Sequence, residues 1–422
     1  MESEEEHIQI SLDGSQAWTF LRSFSVKETH EYTHGLHPYP AKIVPQIARE
    51  LIHRYSKRGD IVLDPFCGSG GVLVESIMGG RNAVGVDVNR LALLLAKVKT
   101  TFIDDVELRE KSRSLQHKIN GAINYHNKEY QPLIPDIPNL HHWFKPDVIR
   151  QLGIIKEAIE QIASDNEDVK DFFLVCFSNT MYKVSNIRHH DNPFFARVLH
   201  KDEMKRHNPN AFVEFTRNLE RSVMSMADFN TVRDKESWSK TISGDSRELS
   251  KLLGENIPVD LLVTSPPYGE ETNTMDYNRF SKLALFWLGL GDSIAVSKKL
   301  SLGSLSRLDK MRDLPFKSEL LSKTLAQIQH KSSERSSEVR EFFIDYSACL
   351  NEMYKVLKRG SICCIVIGDR SASDVPIRNG DITSELCQSI GFKFVEMVRR
   401  KMYMYSLRSN VVKFEDIVIL EK

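Results

Sequence analysis

The chain has 422 residues, 41 % hydrophobic and 27 % charged, with 57 Lys+Arg against 57 Asp+Glu. That length suits one large core and a second lobe, and the even charge balance excludes a uniformly basic protein, so a nucleic-acid partner has to meet a local cluster of Lys and Arg. The six cysteines form no C-x-x-C pair, the acidic start MESEEEHIQI is unlike a signal peptide, and no apolar run reaches membrane-spanning length, so a reducing, cytoplasmic setting is expected.

In chain order, residues 1–30 are polar and weakly patterned and read as an N-terminal arm. Ile43, Ile47, Leu51 and Ile52 then repeat at helical spacing, with Gly59 beyond the run. IVLD predicts a buried strand that runs into the glycine-rich DPFCGSGG, followed by a helix (GVLVESIM), a strand (NAVGVDVN) and a helix (RLALLLAKVKT). This alternation predicts an α/β fold with a doubly wound, Rossmann-like parallel sheet, its first half lying in residues 31–100. The alternation stops over 101–240, which read as a mostly helical insertion; there Val148, Leu152, Ile155, Ile159 and Ile162 step at helical spacing behind Pro146. It resumes in 241–422 with KTISGDSREL and VDLLVTSPPYG. After a polar second insertion at 290–340, EFFIDYSACLNEMYKVLKRG predicts an amphipathic helix ended by Gly360, SICCIVIGDR a buried strand, and GFKFVEMVRR and NVVKFEDIVILEK antiparallel closing strands.

Chemistry gathers at the strand ends. Gly68, Gly70 and Gly71 let backbone approach a ligand closely, although the G-x-G-x-x-G fingerprint is absent and a plain tight turn would look alike. Asp87 falls 23 residues after Asp64, at the end of the next strand, where a carboxylate can accept hydrogen bonds from ribose hydroxyls. Asp245 ends the third strand, placed either to meet an adenine amino group or to cap SRELSKLL. Together these residues define a ligand crevice at the carboxyl edge of the sheet.

At the fourth strand end, Ser265-Pro266-Pro267-Tyr268 leaves the sheet abruptly, because proline cannot donate to a sheet ladder. An exocyclic amine on a base is a poor nucleophile, since its lone pair is delocalised into the ring. The Ser265 hydroxyl and Pro266 carbonyl can accept its two N–H groups, with both prolines fixing the geometry in advance. Tyr268 can stack on a base turned out of its duplex.

These motifs resemble the S-adenosylmethionine (SAM)-dependent amino-group DNA methyltransferases of restriction–modification systems. DPFCGSG is similar to their cofactor loop and TSPPYG to their catalytic motif, in the S-P-P-Y form associated with N4-cytosine enzymes. HPYPAKIVPQIARELI resembles the element covering the methionine end of SAM. The resemblance runs through 31–100 and 238–285 and more loosely through 341–422; the long insertion after the second strand departs from the family's commonest arrangements. It implies SAM as cofactor, double-stranded DNA with a short specific site as substrate, and functional pairing with a restriction endonuclease. It places Ser265, Pro266, Pro267 and Tyr268 at the target amine, and the loop from Asp64 and Phe66 through Cys67, Gly68, Ser69 and Gly70 around the methionine and sulfonium. Asp87 falls on the ribose, Asp245 near the adenine, and His37, Pro38 and Lys42 in the covering element.

Two stretches carry a local basic excess. Residues 298–335 hold nine Lys/Arg against four acids, and 182–207 hold six against three, with four histidines that lack metal-ligand spacing. Either is a DNA contact or a solvated face, and 290–340 is the favoured candidate for base reading. The rivals to cytosine N4 are adenine N6, a guanine-N2 RNA substrate, and a SAM-binding module without activity.

Overall fold

The computed structural model describes residues 18, 24–40, 42–125, 131–188, 198–254, 257–269, 277–304, 313–401 and 414–422. Most of the expected arm, and residues 189–197 and 305–312 of the two basic stretches, lie outside this set.

The predicted strands assemble into one seven-stranded sheet: β1 (Ile61–Asp64), β2 (Asn82–Asp87), β3 (Ser239–Ser243), β4 (Val259–Thr264), β5 (Leu357–Gly368), β8 (Lys393–Lys401) and β9 (Phe414–Glu421). A separate hairpin pairs β6 (Arg370–Ala372) with β7 (Val375–Ile377). The sheet order is β3-β2-β1-β4-β5-β9-β8. The first five strands are parallel, and β9 runs antiparallel between β5 and β8. The chain thus works outward from β1 to β3, then returns to the other side of β1 as β4. That reversal is a topological switch point, where the loops at neighbouring strand ends part and leave a crevice.

Strand alternation divides the core between the sheet's two faces. Val62, Leu261, Val263, Cys364 and Ile419 pack with α1 (Pro45–Tyr55) and α2 (Gly71–Met78). Leu63, Val84, Leu262, Cys363 and Val418 pack beneath α10 (Glu319–Lys331), α11 (Ser333–Val356) and α12 (Asn379–Ile390). Pro45 and Pro146 sit in the first turns of their helices, where a missing N–H costs nothing.

The helical insertion is α4 (Asp105–Tyr125), α5 (Pro146–Ile162), α6 (Glu167–Val184) and α7 (Ala211–Val232). Its apolar faces join one cluster with α3 (Arg90–Thr100) and α8 (Tyr277–Trp287), so the insertion extends the layer over the sheet. Between α8 and α10 lies a short helix, α9 (Ser293–Leu300). No described helix is long and apolar enough to cross a membrane.

One expected boundary is corrected. The helix before β5 ends at Val356, not at Gly360, and residues from Leu357 onward are already strand. Leu357 pairs with Val259, but the register then shifts so that Ile362 pairs with Leu261. The bulge between them holds Gly360 at φ 76° and turns its N–H to the Lys422 carbonyl (2.7 Å). Glycine marks a bulge here rather than a helix stop.

Candidate active site

The ends of β1, β2, β3 and β4 and the N-terminal element enclose a single cavity. Its walls include Tyr39, Lys42, Asp64, Phe66, Cys67, Gly68, Ser69, Asp87, Asp245, Ser265 and Pro267, closed on one side by Tyr277, Asn278 and the C-terminal end of α9. Ten of the fifteen residues that the resemblance places at the site therefore line one space: Lys42, Asp64, Phe66, Cys67, Gly68, Ser69, Asp87, Asp245, Ser265 and Pro267. His37, Pro38, Gly70, Pro266 and Tyr268 lie outside its wall.

The loop after β1 is shaped by close packing. Gly70 has φ 82°, and a Cβ there would come within 2.8 Å of both Cα and Cβ of Ala96 on α3. No side chain fits, which explains why the tight turn needs glycine. Gly68 donates its N–H to Asp87 Oδ2 (2.9 Å), while Asn89 N–H donates to Asp87 Oδ1 (2.8 Å). Those bonds hold the carboxyl between the ends of β1 and β2. Burial nevertheless pushes Asp87 up to about 6, against the opposing backbone N–H bonds.

Asp64 is 3 % exposed. Its Oδ1 accepts the Thr264 hydroxyl at 2.7 Å and the Phe66 N–H at 3.1 Å. The Thr264 bond ties the end of the strand bearing TSPPY directly to the end of the strand bearing DPFCGSG. Burial raises Asp64 to about 7, more than these hydrogen bonds lower it. Asp245 caps the helical turn that follows it. It lines the cavity, and its side chain also accepts the Arg247 N–H and forms an ion pair with the Arg247 guanidinium. Arg247 in turn pairs with Asp345.

His37 is 2 % exposed, and among the described residues neither ring nitrogen has a hydrogen-bond partner. Its ring meets Phe280 edge-on, with centroids 6.0 Å apart. Burial, aided by the charges of Lys99 and Lys42, holds it well below the ordinary imidazole range. Lys42 donates to the His34 carbonyl (3.2 Å), and burial lowers it to about 8.

The catalytic-type loop is gripped from the C-terminal third of the chain. Tyr268 donates its phenol to Glu415 Oε1 (3.0 Å) on β9, and Arg400 Nε on β8 donates to Glu415 Oε2 (2.8 Å). Asn379 Nδ2 donates to the Tyr268 carbonyl (3.3 Å) and to the Gly368 carbonyl (2.8 Å). Arg370, 8 % exposed, donates to the Gly269 carbonyl and sits over the Phe342 ring. Gly269 has φ 93°, and a Cβ would fall 2.7 Å from Phe342 and 2.9 Å from Arg370. Burial and the Glu415 charge push the Tyr268 phenol far above its usual range, while a hydrogen bond with Ser265 opposes them. Glu415, Arg400, Arg370 and Asn379 were not found by reading motifs. The only hint was a charged pair, Glu415-Asp416, at the start of an apolar closing strand.

Within the described part of the 182–207 stretch, Arg188 pairs with Glu203 and Lys205 with Asp202, while Lys183 pairs with Glu214 beyond it. In 298–335, Lys323 pairs with Glu319 and Arg335 with Glu338.

The sequence has counterparts. A family model described as DNA methylase matches residues 5–97. The Type II methyltransferase M.MvaI of Kocuria varians is 32 % identical over 406 residues, covering 92 % of this chain and 87 % of its own. The chain belongs to the type II DNA methyltransferases. A second such relative, M.MjaII of Methanocaldococcus jannaschii, is 25 % identical over 350 residues, covering 63 % of this chain and 64 % of its own. A tRNA (guanine(10)-N2)-dimethyltransferase of Methanothermobacter thermautotrophicus is 29 % identical over 98 residues, only 19 % of this chain and 29 % of its own.

A DNA methyltransferase of this fold uses SAM, and the cavity suits that molecule. Its walls combine a buried carboxyl, Asp64, and a half-buried one, Asp87, with the half-buried ammonium of Lys42. SAM brings a sulfonium, an ammonium, ribose hydroxyls and a carboxylate, so each kind of wall group has a complement.

Proposed function

We propose that this methyltransferase modifies the exocyclic N4 amine of a cytosine flipped out of duplex DNA at a short specific site, protecting that site from a cognate restriction enzyme. The observation that carries the proposal is the placement of TSPPYG. Ser265 and Pro267 line the same cavity as Asp64, Asp87 and the glycine loop, on strands joined by the Thr264–Asp64 hydrogen bond. The serine in the first position of the motif favours cytosine over adenine, whose enzymes mostly carry aspartate there.

When bound, SAM supplies a methyl group already activated by its sulfonium. Within the chain, Asp87 takes the ribose side of the cavity, and the Asp64–Gly70 loop takes the methionine side. The Ser265 hydroxyl and Pro266 carbonyl accept the two N–H groups of the target amine, drawing the nitrogen toward a tetrahedral, more nucleophilic shape. The prolines hold these acceptors in place before substrate arrives. Tyr268 offers its ring to the extruded base, which offsets part of the unstacking cost of a few kcal/mol. A serine hydroxyl is a weak base, so the amine proton leaves after transfer, to water.

Single-molecule sequencing of DNA from cells expressing the protein tests this reading. It predicts one modified base within one short sequence context. Modification scattered without context, or absent from DNA, would refute it.

A further inference from the structure

Lys99 lies on α3, outside every motif considered so far. Its side chain is 0 % exposed, and its ammonium donates to Ser69 Oγ at 3.1 Å. Ser69 is part of the cavity wall. An ammonium carries three donors, and among the described residues this one meets a single neutral hydroxyl. Burying such a charge without a counter-charge is strongly unfavourable.

Its neighbours deepen the imbalance. Lys42 lies close enough to repel Lys99 and, among the described residues, reaches a backbone carbonyl, that of His34. His37, buried with neither nitrogen partnered among the described residues, stands in the field of both lysines. The buried carboxylate of this region, Glu75, is already committed to His34 (2.8 Å) and Arg49 (2.7 Å). Burial and mutual repulsion hold Lys99 well below the ordinary ammonium range. Among the described residues the cluster thus lacks one anion, and it sits behind the wall of a cavity for a ligand that carries a carboxylate.

We propose that Lys99, acting with Lys42 and fixed by Ser69, is the residue that recognises the methionine carboxylate of SAM. This rests on the SAM reading of the cavity and adds a residue to it. An incoming carboxylate supplies the missing counter-charge for two ammonium groups at once, so affinity and selectivity come from relieving a cost built into the ligand-free protein.

Isothermal titration of the full chain with SAM and with decarboxylated SAM tests it, because the second ligand keeps the adenosine, sulfonium and amine and lacks only the carboxylate. Wild type is expected to favour SAM by roughly ten- to 100-fold, the worth of a hydrogen bond between charged groups. Lys99→Met should erase most of that gap by weakening SAM alone, and Lys99→Arg should retain part of it. Equal weakening of both ligands by Lys99→Met, or unchanged SAM affinity, would assign the lysine a structural role and overturn the proposal. Should Lys99→Met fail to fold, Ser69→Ala carries the same test: a narrowed gap supports the proposal, and an unaltered gap overturns it. A wild-type protein that binds both ligands equally overturns it without any variant. Failure of wild type to bind SAM at all would instead remove the cofactor reading beneath it.

Discussion

Consider the grip on Tyr268. Its hydroxyl donates to Glu415 at 3.0 Å, and Arg400 donates to the other oxygen of the same carboxylate at 2.8 Å. Glu415 is 8 % exposed, and only 10 % of the Arg400 side chain is accessible, so little water replaces either bond. A hydrogen bond to a charged acceptor in such a place contributes about 1.5–3 kcal/mol. Tyr268→Phe removes the donor alone and should cost that amount. Glu415→Ala leaves both the phenol and the guanidinium without a partner and should cost about 3–5 kcal/mol. Urea unfolding of wild type, Tyr268→Phe, Glu415→Gln and the double variant closes a cycle, with a coupling energy of at least ~1 kcal/mol expected. Tritium transfer from labelled SAM to bulk DNA, run on the same four proteins, should show both single variants impaired while SAM affinity holds. Additivity within about 0.5 kcal/mol would mean that Glu415 does not hold the ring, and the reasoning would fail.

Three further outcomes are expected. Ser265→Ala should bind SAM nearly as wild type yet lose about 100-fold or more in methyl transfer, measured by titration and by tritium incorporation; full activity would remove the hydroxyl from the chemistry. Asp64 and Asp87 hold their protons more tightly folded than unfolded, since burial raises them to about 7 and about 6. The ligand-free protein should therefore lose stability as pH rises from about 4 through 7, and Asp87→Asn should flatten the melting temperature across that window. Gly70→Ala combines a left-handed φ with a 2.8 Å approach to Ala96 and should cost about 2–5 kcal/mol in chemical denaturation and abolish SAM binding.

What the sequence disclosed was set by distance along the chain. Asp64, Gly68 and Gly70 were visible because strand, loop and helix follow one another directly, and Gly70 answers to a contact with Ala96 on the neighbouring α3. The strand carrying Ser265 was visible because an apolar run is cut short by two prolines. Gly360 misled because its role depends on a register shift against β4, which local pattern does not encode. Glu415 and Tyr268 are 147 residues apart, and a charged residue at the start of a strand reads as solvent-facing until its partner is known. Lys99 was hidden for the same reason: on an amphipathic helix a lysine is ordinarily a surface residue, and only the packed structure shows it buried against Ser69.

The identity of the methylated base tests the account most directly. DNA incubated with the purified protein and isotopically labelled SAM, digested to nucleosides and resolved by mass spectrometry, should yield labelled N4-methylcytosine. Labelled N6-methyladenine as the sole product would contradict the assignment of the target.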